Sequence, residues 1–210
     1  MWLTNKETGG VFNTDWADKE RQIAENKKQA DEKNHPMSAS DFKLEEKKWS
    51  PIEKQDFESA IKSYSDKFGD MRDLIGTVYR RNISQTTGGE YDRDGNRGRG
   101  RATYFGTSFR ATREVINHEL AHVVTDEIVS HYKEFGYPDR KTMFKEMLSL
   151  YYVYRGEKEP DWDKAFGKNS YYARPAEIFS RNMEHFGTEK GKNAEKTADF
   201  LLQYWKRIGR

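Results

Sequence analysis

Apolar residues recur at helical spacing in several stretches of the chain. Ser50 to Glu53 has the features of a helix start, since serine is a good cap, proline fits the first turn and the glutamate completes a capping box. Phe57, Ile61, Tyr64 and Phe68 continue at helical spacing and predict a buried face. The same spacing predicts four later helices: from Thr112 to about Glu134, around Met143 to Tyr151, from Arg174 onwards, and through Phe200 to Trp205.

Strand patterns are shorter and fewer. Leu74 to Tyr79 could extend a helix or form a strand, because its periodicity fits both. After a turn signal at Asp94-Gly95-Asn96, the segment from Ala102 to Gly106 is typical of a short strand. We therefore predict an α+β fold that is mainly helical, with a small antiparallel or mixed sheet.

The first part of the chain differs in composition from the rest. Asp15 to Asn34 is almost entirely charged or polar and has almost no apolar stripe. Such a segment forms an exposed helix or a disordered arm, and it cannot nucleate a core. A turn-rich junction follows, where His35 is expected to be a solvated loop residue. We predict a polar arm over residues 1–41, partly helical or disordered, and one compact domain over residues 42–210.

Composition limits the chemistry that is available. The 210 residues include no cysteine, which excludes disulfides, thiolate metal ligands and a cysteine nucleophile. The net charge of +2 is too close to neutral to indicate nucleic acid by itself. No apolar run approaches a membrane span, and Met1 to Lys6 lacks the apolar core of a signal peptide. We expect no membrane partner and a cytoplasmic location, unless other machinery delivers the protein.

The most informative motif is His118-Glu119-Leu120-Ala121-His122. Histidines four positions apart on a helix project from one face, so both imidazoles can reach one metal ion. A catalytic zinc has three protein ligands, often histidines, and keeps one position for water. Glu119 then stands beside that water and can accept its proton.

The residues around the motif favour a metal site over two histidines that are packed by chance. The flanks are apolar, so the histidines lie on a largely buried helix. Two buried imidazoles without partners are costly, and they repel each other if both are charged. A bound Zn2+ removes both problems, and we therefore predict a zinc site.

A third ligand has to come from elsewhere in the chain. Glu177 ranks first, because it begins an apolar-periodic helix where an inward-facing carboxylate needs a partner; the alternative is a glutamate favoured only by the helix dipole. Glu184 lies seven residues later and could share that face, although a solvated charge is the commoner outcome. His131 falls on another face of the motif helix, and His185 ranks below both glutamates.

Three further side chains are candidates for roles beside the metal. Asp126 follows His122 at the same four-residue step, so it could accept the second ring hydrogen of a ligand histidine, or it could lie exposed. Tyr171 and Tyr172 stand just ahead of Glu177, where a phenol could donate to the oxyanion that forms as water attacks a carbonyl. Because the chain contains 12 tyrosines, a packing role is the alternative for each.

The motif, together with the later segment Tyr172-Ala173-Arg174-Pro175-Ala176-Glu177-Ile178-Phe179-Ser180-Arg181, resembles the glutamate-zincin metallopeptidases. Within that family it is similar to the group that includes the anthrax lethal factor catalytic domain and zincin-like domains of phage and mobile-element polyvalent proteins. The resemblance covers roughly residues 100 to 188, and only the five-residue motif is highly specific. One departure is Arg181, which stands where many relatives carry an acidic residue beside the metal ligands.

The resemblance implies a zincin-like fold, in which the small sheet packs on the metal-binding helix. It adds delivery by phage or secretion machinery without a signal peptide as a second expectation for location. It also implies residue roles: ligands His118, His122 and Glu177, general base Glu119, and oxyanion donor Tyr171 or Tyr172.

These observations lead to the hypothesis of a zinc-dependent endopeptidase that acts on a protein or peptide substrate. In zincins an extended substrate lies along an edge strand ahead of the motif helix. Such a strand adds main-chain hydrogen bonds to the substrate. In this chain the resemblance gives that role to the predicted strand, formed by Ala102, Thr103, Tyr104, Phe105 and Gly106.

Two other functions are weaker hypotheses. An arginine-rich region could bind nucleic acid, although a solvated hairpin is the favoured interpretation. The main alternative is therefore a non-catalytic module that zinc stabilises and that binds nucleic acid or a protein assembly through this region. ADP-ribosyl transfer is suggested only by Arg80, Thr107-Ser108 and the segment Glu157 to Glu159. The arginines of the region are Arg93, Arg97, Arg99, Arg101, Arg110 and Arg113.

Overall fold

The structure is a computed structural model, and it describes residues 2–4, 11–13, 36–45, 47–83, 88–93, 101–161, 175 and 177–210. The chain divides into two compact units, Met1–Pro36 and Met37–Arg210. In the first unit, β1 (Trp2–Thr4) and β2 (Val11–Asn13) pair antiparallel. The polar segment from Asp15 to Asn34 and the junction residue His35 lie outside the described residues.

The second unit begins slightly before the predicted start of the compact domain. Met37 is buried, and a short 3₁₀ helix, Ala39–Phe42, brings Phe42 into the same core. The ring of Phe57 packs edge-on against those of Phe42 and Trp49. The core therefore already includes residues within the stretch that was predicted as an arm.

Helix α1 (Pro51–Phe68) forms as the local signals predict. The Ser50 hydroxyl accepts a hydrogen bond from the Glu53 backbone amide, and the Glu53 carboxylate accepts one from the Ser50 amide at 2.9 Å. These two bonds satisfy amides that the first helical turn leaves without partners. The predicted stripe from Phe57 to Phe68 is buried.

The ambiguous segment from Leu74 to Tyr79 contains both a helix and a strand. A single helical turn, α2 (Arg72–Ile75), ends at Gly76, and strand β3 (Thr77–Arg81) follows. Gly76 has a φ of 66°, and a Cβ at this position would lie 2.0 Å from the carbonyl oxygen of Arg101. Glycine therefore allows the chain to change from helix to strand here.

Strand β3 belongs to a three-stranded mixed sheet with β4 (Gly89–Asp92) and β5 (Ala102–Gly106). The order is β3-β5-β4, with β3 parallel and β4 antiparallel to β5. The prediction of an edge strand formed by Ala102, Thr103, Tyr104, Phe105 and Gly106 is therefore wrong. Neighbours on both sides use the backbone groups of β5, which leaves β3 and β4 as the outer strands among those described.

The long helix α3 (Arg113–Ser130) carries the histidine motif through the middle of the second unit. Twelve of its 18 residues are buried, so it faces protein on most sides. It contacts α1 and β4, together with α4 (Arg140–Arg155), α5 (Glu177–Met183) and α6 (Lys192–Arg207).

The mixed α+β class with a small mixed sheet is confirmed. The helix predicted from Arg174 onwards begins at Glu177, and Pro175 precedes it in a turn. Along the described residues, no helix combines the length and the apolar character that crossing a bilayer requires.

Candidate metal centre

Two turns of α3 and the first residue of α5 bring the three predicted ligands together. Nε2 of His118 lies 3.0 Å from Oε2 of Glu177, and Nε2 of His122 lies 3.3 Å from the same oxygen. The two Nε2 atoms are 3.3 Å apart. The three side chains therefore converge on one point, and together they could hold a metal ion.

These separations fit a tetrahedral ion. Ligand atoms about 2.0–2.1 Å from such an ion lie about 3.3 Å from one another. An ion held by three protein ligands has a fourth position for water. His122 is the most accessible ligand, with 24% of its side chain exposed against 10% for His118 and 12% for Glu177. Solvent therefore reaches the centre most easily beside His122.

The charges of the ligands influence one another. Burial would lower the pKa of His118, but hydrogen bonds to Glu177 and Glu184 and the charges of nearby carboxylates raise it to about 9. Burial would also raise the pKa of Glu177, but its contacts with both histidines hold it well below the ordinary value. Because metal ligands must lose their protons, we expect acid to release a metal ion from this centre.

Glu119 lies on the same helix directly after the first ligand. It is only 5% exposed. Burial raises the pKa of its carboxyl, against the opposing charges of His122 and His118. A raised pKa makes a carboxylate a better proton acceptor, so the surroundings of Glu119 suit the role that the motif predicts.

Glu184 makes a contact with the centre that the sequence did not rank highly. Its Oε1 atom lies 3.2 Å from Nδ1 of His118, on the far side of the ring from Glu177. Such a contact fixes the tautomer in which Nε2 is free to bind a metal. Asn117 fixes the backbone around Glu184, since its side-chain amide donates to the carbonyl oxygens of Glu184 at 2.8 Å and of Phe186 at 3.0 Å.

The position of Glu184 explains why its role was missed. A seven-residue spacing from Glu177 suggests two turns of one helix, on which Glu184 would be an ordinary polar residue. Helix α5 instead ends at Met183, and Glu184 lies in the turn that follows. The signal that could have found it is the buried Asn117 beside His118, because a buried amide requires hydrogen-bonding partners.

Asp126 makes two contacts that the sequence did not predict. It forms ion pairs with Arg93, at 3.2 Å, and with Arg140. Its place one turn beyond His122 brings it within reach of these two arginines from neighbouring segments. At His118 the second ring nitrogen lies 3.2 Å from Glu184.

The other two histidines among the described residues, His131 and His185, have contacts outside the group of three ligands. Nδ1 of His131 lies 2.7 Å from Glu134, and its Nε2 lies 3.4 Å from Glu127. His185 is exposed and lies 3.9 Å from Glu114. The lower ranking of both residues as ligands agrees with these contacts. Tyr171 and Tyr172, the predicted oxyanion donors, lie outside the described residues.

Several arginines of the arginine-rich region bind within the protein. Arg110 pairs with Asp56 at 2.8 Å, and Arg113 donates to the Ser63 hydroxyl at 2.9 Å and to the Gly187 carbonyl at 2.7 Å. Arg97 and Arg99 lie outside the described residues.

Arg80, which suggested ADP-ribosyl transfer, is buried and pairs with Glu53 at 2.6 Å. Its guanidinium also donates to the carbonyl oxygens of Gly106 and of Phe109, the latter at 2.7 Å. These contacts tie α1 to the loop after β5, which gives Arg80 a structural role.

Comparisons with protein-family models, with curated proteins and with solved structures found no match. The geometry of the side chains is therefore the basis for assigning a function.

Proposed function

We propose that this chain is a zinc-dependent endopeptidase. The observation that carries the proposal is the convergence of two imidazoles and one carboxylate, within 3.0 to 3.3 Å of one another, beside the buried carboxylate of Glu119. Three ligands and an adjacent base are the parts that metal-assisted hydrolysis requires.

The ligand set supports zinc as the metal. Two imidazoles and one carboxylate form a common catalytic zinc site, and the chain has no cysteine that would favour a closed structural site. When bound, zinc polarises a carbonyl group and lowers the pKa of a water molecule towards neutrality.

The chain's own residues then have separate tasks. Glu119 accepts a proton from the attacking water and later delivers it to the amine that leaves, so one carboxylate serves as base and then as acid. Glu184 orients the imidazole of His118 through Nδ1. Tyr171 and Tyr172 stay as predictions for the group that donates to the oxyanion.

In this proposal the strand that binds the substrate is β4, and not β5 as the sequence predicted. Among the described strands β4 is an outer one, it runs antiparallel to β5, and it contacts α3. A peptide that pairs with β4 would lie beside the motif helix and gain main-chain hydrogen bonds. We propose a protein or peptide as the substrate for this reason.

Membership of the glutamate-zincin family is part of the same proposal. Three features support it: the third ligand comes from a helix after the motif helix, the ligand is a glutamate, and an antiparallel outer strand contacts the motif helix. In this proposal Glu184 takes the role of the acidic residue that many relatives carry at the position of Arg181.

Substitution of two residues of the motif tests the proposal. Glu119→Gln should retain zinc but lose cleavage of a mixture of quenched fluorescent peptides, whereas His122→Ala should lose both. The matched controls are Glu189→Gln and His185→Ala, since both side chains are exposed. Wild-type cleavage rates in Glu119→Gln would contradict the mechanism. A wild-type chain that binds zinc but cleaves no peptide would favour the interaction module.

A further inference from the structure

Gly89 is the first residue of β4, and it lies against the side chain of Glu119. It is paired with Phe105 of β5, on the side of the sheet that contacts α3. A Cβ atom at position 89 would lie 2.5 Å from both Cγ and Oε1 of Glu119 and 2.7 Å from Cδ. Carbon and oxygen atoms do not approach this closely without repulsion, so one of the two groups would have to move.

The neighbouring glycine provides a contrast. A Cβ atom at Gly88 would meet only the two methyl groups of Val115, at 3.4 and 3.5 Å, which is ordinary contact. Neither Gly88 nor Gly89 is among the glycines with positive φ, so alanine fits the backbone at both positions. The requirement for glycine at position 89 is therefore set by the Glu119 side chain and not by the backbone.

Glu119 has little room to adjust. It is 5% exposed, and the closest contact includes Cγ, the atom nearest the helix after Cβ, as well as the carboxyl end. A side chain that is packed along its whole length transmits a displacement to its charged group. A methyl group at position 89 would thus shift the carboxylate away from the water that it has to deprotonate.

We propose that Gly89 is a positioning residue. Because it has no side chain, it leaves the space in which the Glu119 carboxylate is held at the correct position relative to the metal ligands. The inference rests on the proposed function, because it gives Glu119 the role of proton acceptor. It also explains how an outer strand can lie close enough to the base for a peptide on that strand to meet it. A misplacement of about 1 Å in a reacting group can cost roughly 100-fold in rate.

Cleavage and metal binding by Gly89→Ala, with Gly88→Ala as the matched control, test the proposal. The probe is the peptide that the wild-type chain cleaves fastest in a mixture of quenched fluorescent peptides. Gly89→Ala should lose roughly 100-fold in kcat with little change in KM. The visible spectrum of its Co2+-loaded form and its zinc affinity should match those of the wild type. A Gly89→Ala chain that cleaves as fast as Gly88→Ala would overturn the proposal.

Thermal unfolding tests the same contact without any activity, and so separates this inference from the peptidase proposal. Gly89→Ala should lower Tm by roughly 2–4 °C in the wild-type chain, because the added methyl group overpacks the contact with the buried Glu119 side chain. In a Glu119→Ala background the clash is gone, and the same substitution should leave Tm unchanged. An equal loss of Tm in both backgrounds would overturn the positioning role, whatever the chain cleaves.

Discussion

Two buried clusters of charged groups in this chain differ in how their charges are balanced. In the first, Arg80 pairs with Glu53, and the carboxylate also accepts hydrogen bonds from the backbone amides of Ser50 and Ala111. In the metal centre, the histidines of α3 meet carboxylates from α3, from α5 and from the turn after α5.

The difference distinguishes a buried ion pair from a group of side chains that could hold a metal ion. The guanidinium of Arg80 pairs with the Glu53 carboxylate at 2.6 Å, so the two charges of that cluster neutralise each other. The metal centre brings Nε2 of His118, Nε2 of His122 and Oε2 of Glu177 to one point, a set of acceptors that suits a divalent cation. A buried ion pair ties elements together, whereas converging acceptors indicate a binding site.

The largest expected effect is the loss of metal on removal of the carboxylate ligand. Glu177→Ala should weaken zinc binding by several orders of magnitude, because it removes one of three ligand atoms that share a single point. Competition with a chromophoric chelator measures the affinity. Glu189→Ala is the matched control, and zinc affinities that agree between the two variants would contradict the assignment of Glu177.

The next effect concerns the cluster of Arg80 and Glu53. Arg80→Met should lower the free energy of unfolding by about 3–5 kcal/mol, because Glu53 would be left buried without its partner. Urea unfolding measures the loss. The zinc affinity of the folded variant should equal that of the wild type. Weaker zinc binding by Arg80→Met under conditions where it is fully folded would show that the two clusters are not independent.

A smaller effect is expected for the group that orients His118. Glu184→Ala should weaken zinc binding by about 10–100-fold, as loss of a hydrogen-bonding partner of a ligand histidine usually does. Stability without metal should change little, since the Glu184 side chain is 38% exposed. If the affinity of the variant equals that of the wild type, the contact with Nδ1 has no orienting role.

The smallest effect is the pH dependence of the cluster of Arg80 and Glu53. Burial would raise the pKa of Glu53, but hydrogen bonds from Ser50 and Ala111 and the charge of Arg80 lower it. A group whose pKa is lowered by folding stabilises the protein above its unfolded pKa, and that stabilisation is lost as the pH falls through the folded pKa. Glu53→Gln should therefore flatten the acid side of a plot of Tm against pH. An unchanged acid slope would contradict this account of Glu53.

Local chemistry made part of the molecule predictable. The four-residue spacing of His118 and His122, the capping box at Ser50 and the stripe on α1 all depend on neighbours within one or two helical turns. Glu177 was ranked first as the third ligand because a carboxylate at the start of an apolar helix needs a partner. The assignments on α1 and α3 use only the local sequence, whereas the ranking of Glu177 also used the resemblance to the glutamate-zincins.

The incorrect or incomplete predictions depend on contacts between distant segments. Whether Ala102–Gly106 lies at an edge is decided by Thr77–Arg81 and Gly89–Asp92, which pair with it from both sides. The role of Glu184 depends on where α5 ends and on the hydrogen bonds of Asn117. Neither appears in the local periodicity, which is the same for a central or an outer strand.

X-ray absorption at the zinc edge, on protein stripped of metal and reloaded with one equivalent of Zn2+, tests the central claim most directly. The spectrum should show one ion with two imidazoles and an oxygen ligand at about 2.0–2.1 Å. Glu177→Ala should change this first shell, and His185→Ala should leave it as it is. A chain that retains no stoichiometric zinc, or whose zinc spectrum is the same in Glu177→Ala, would contradict the metal centre of His118, His122 and Glu177.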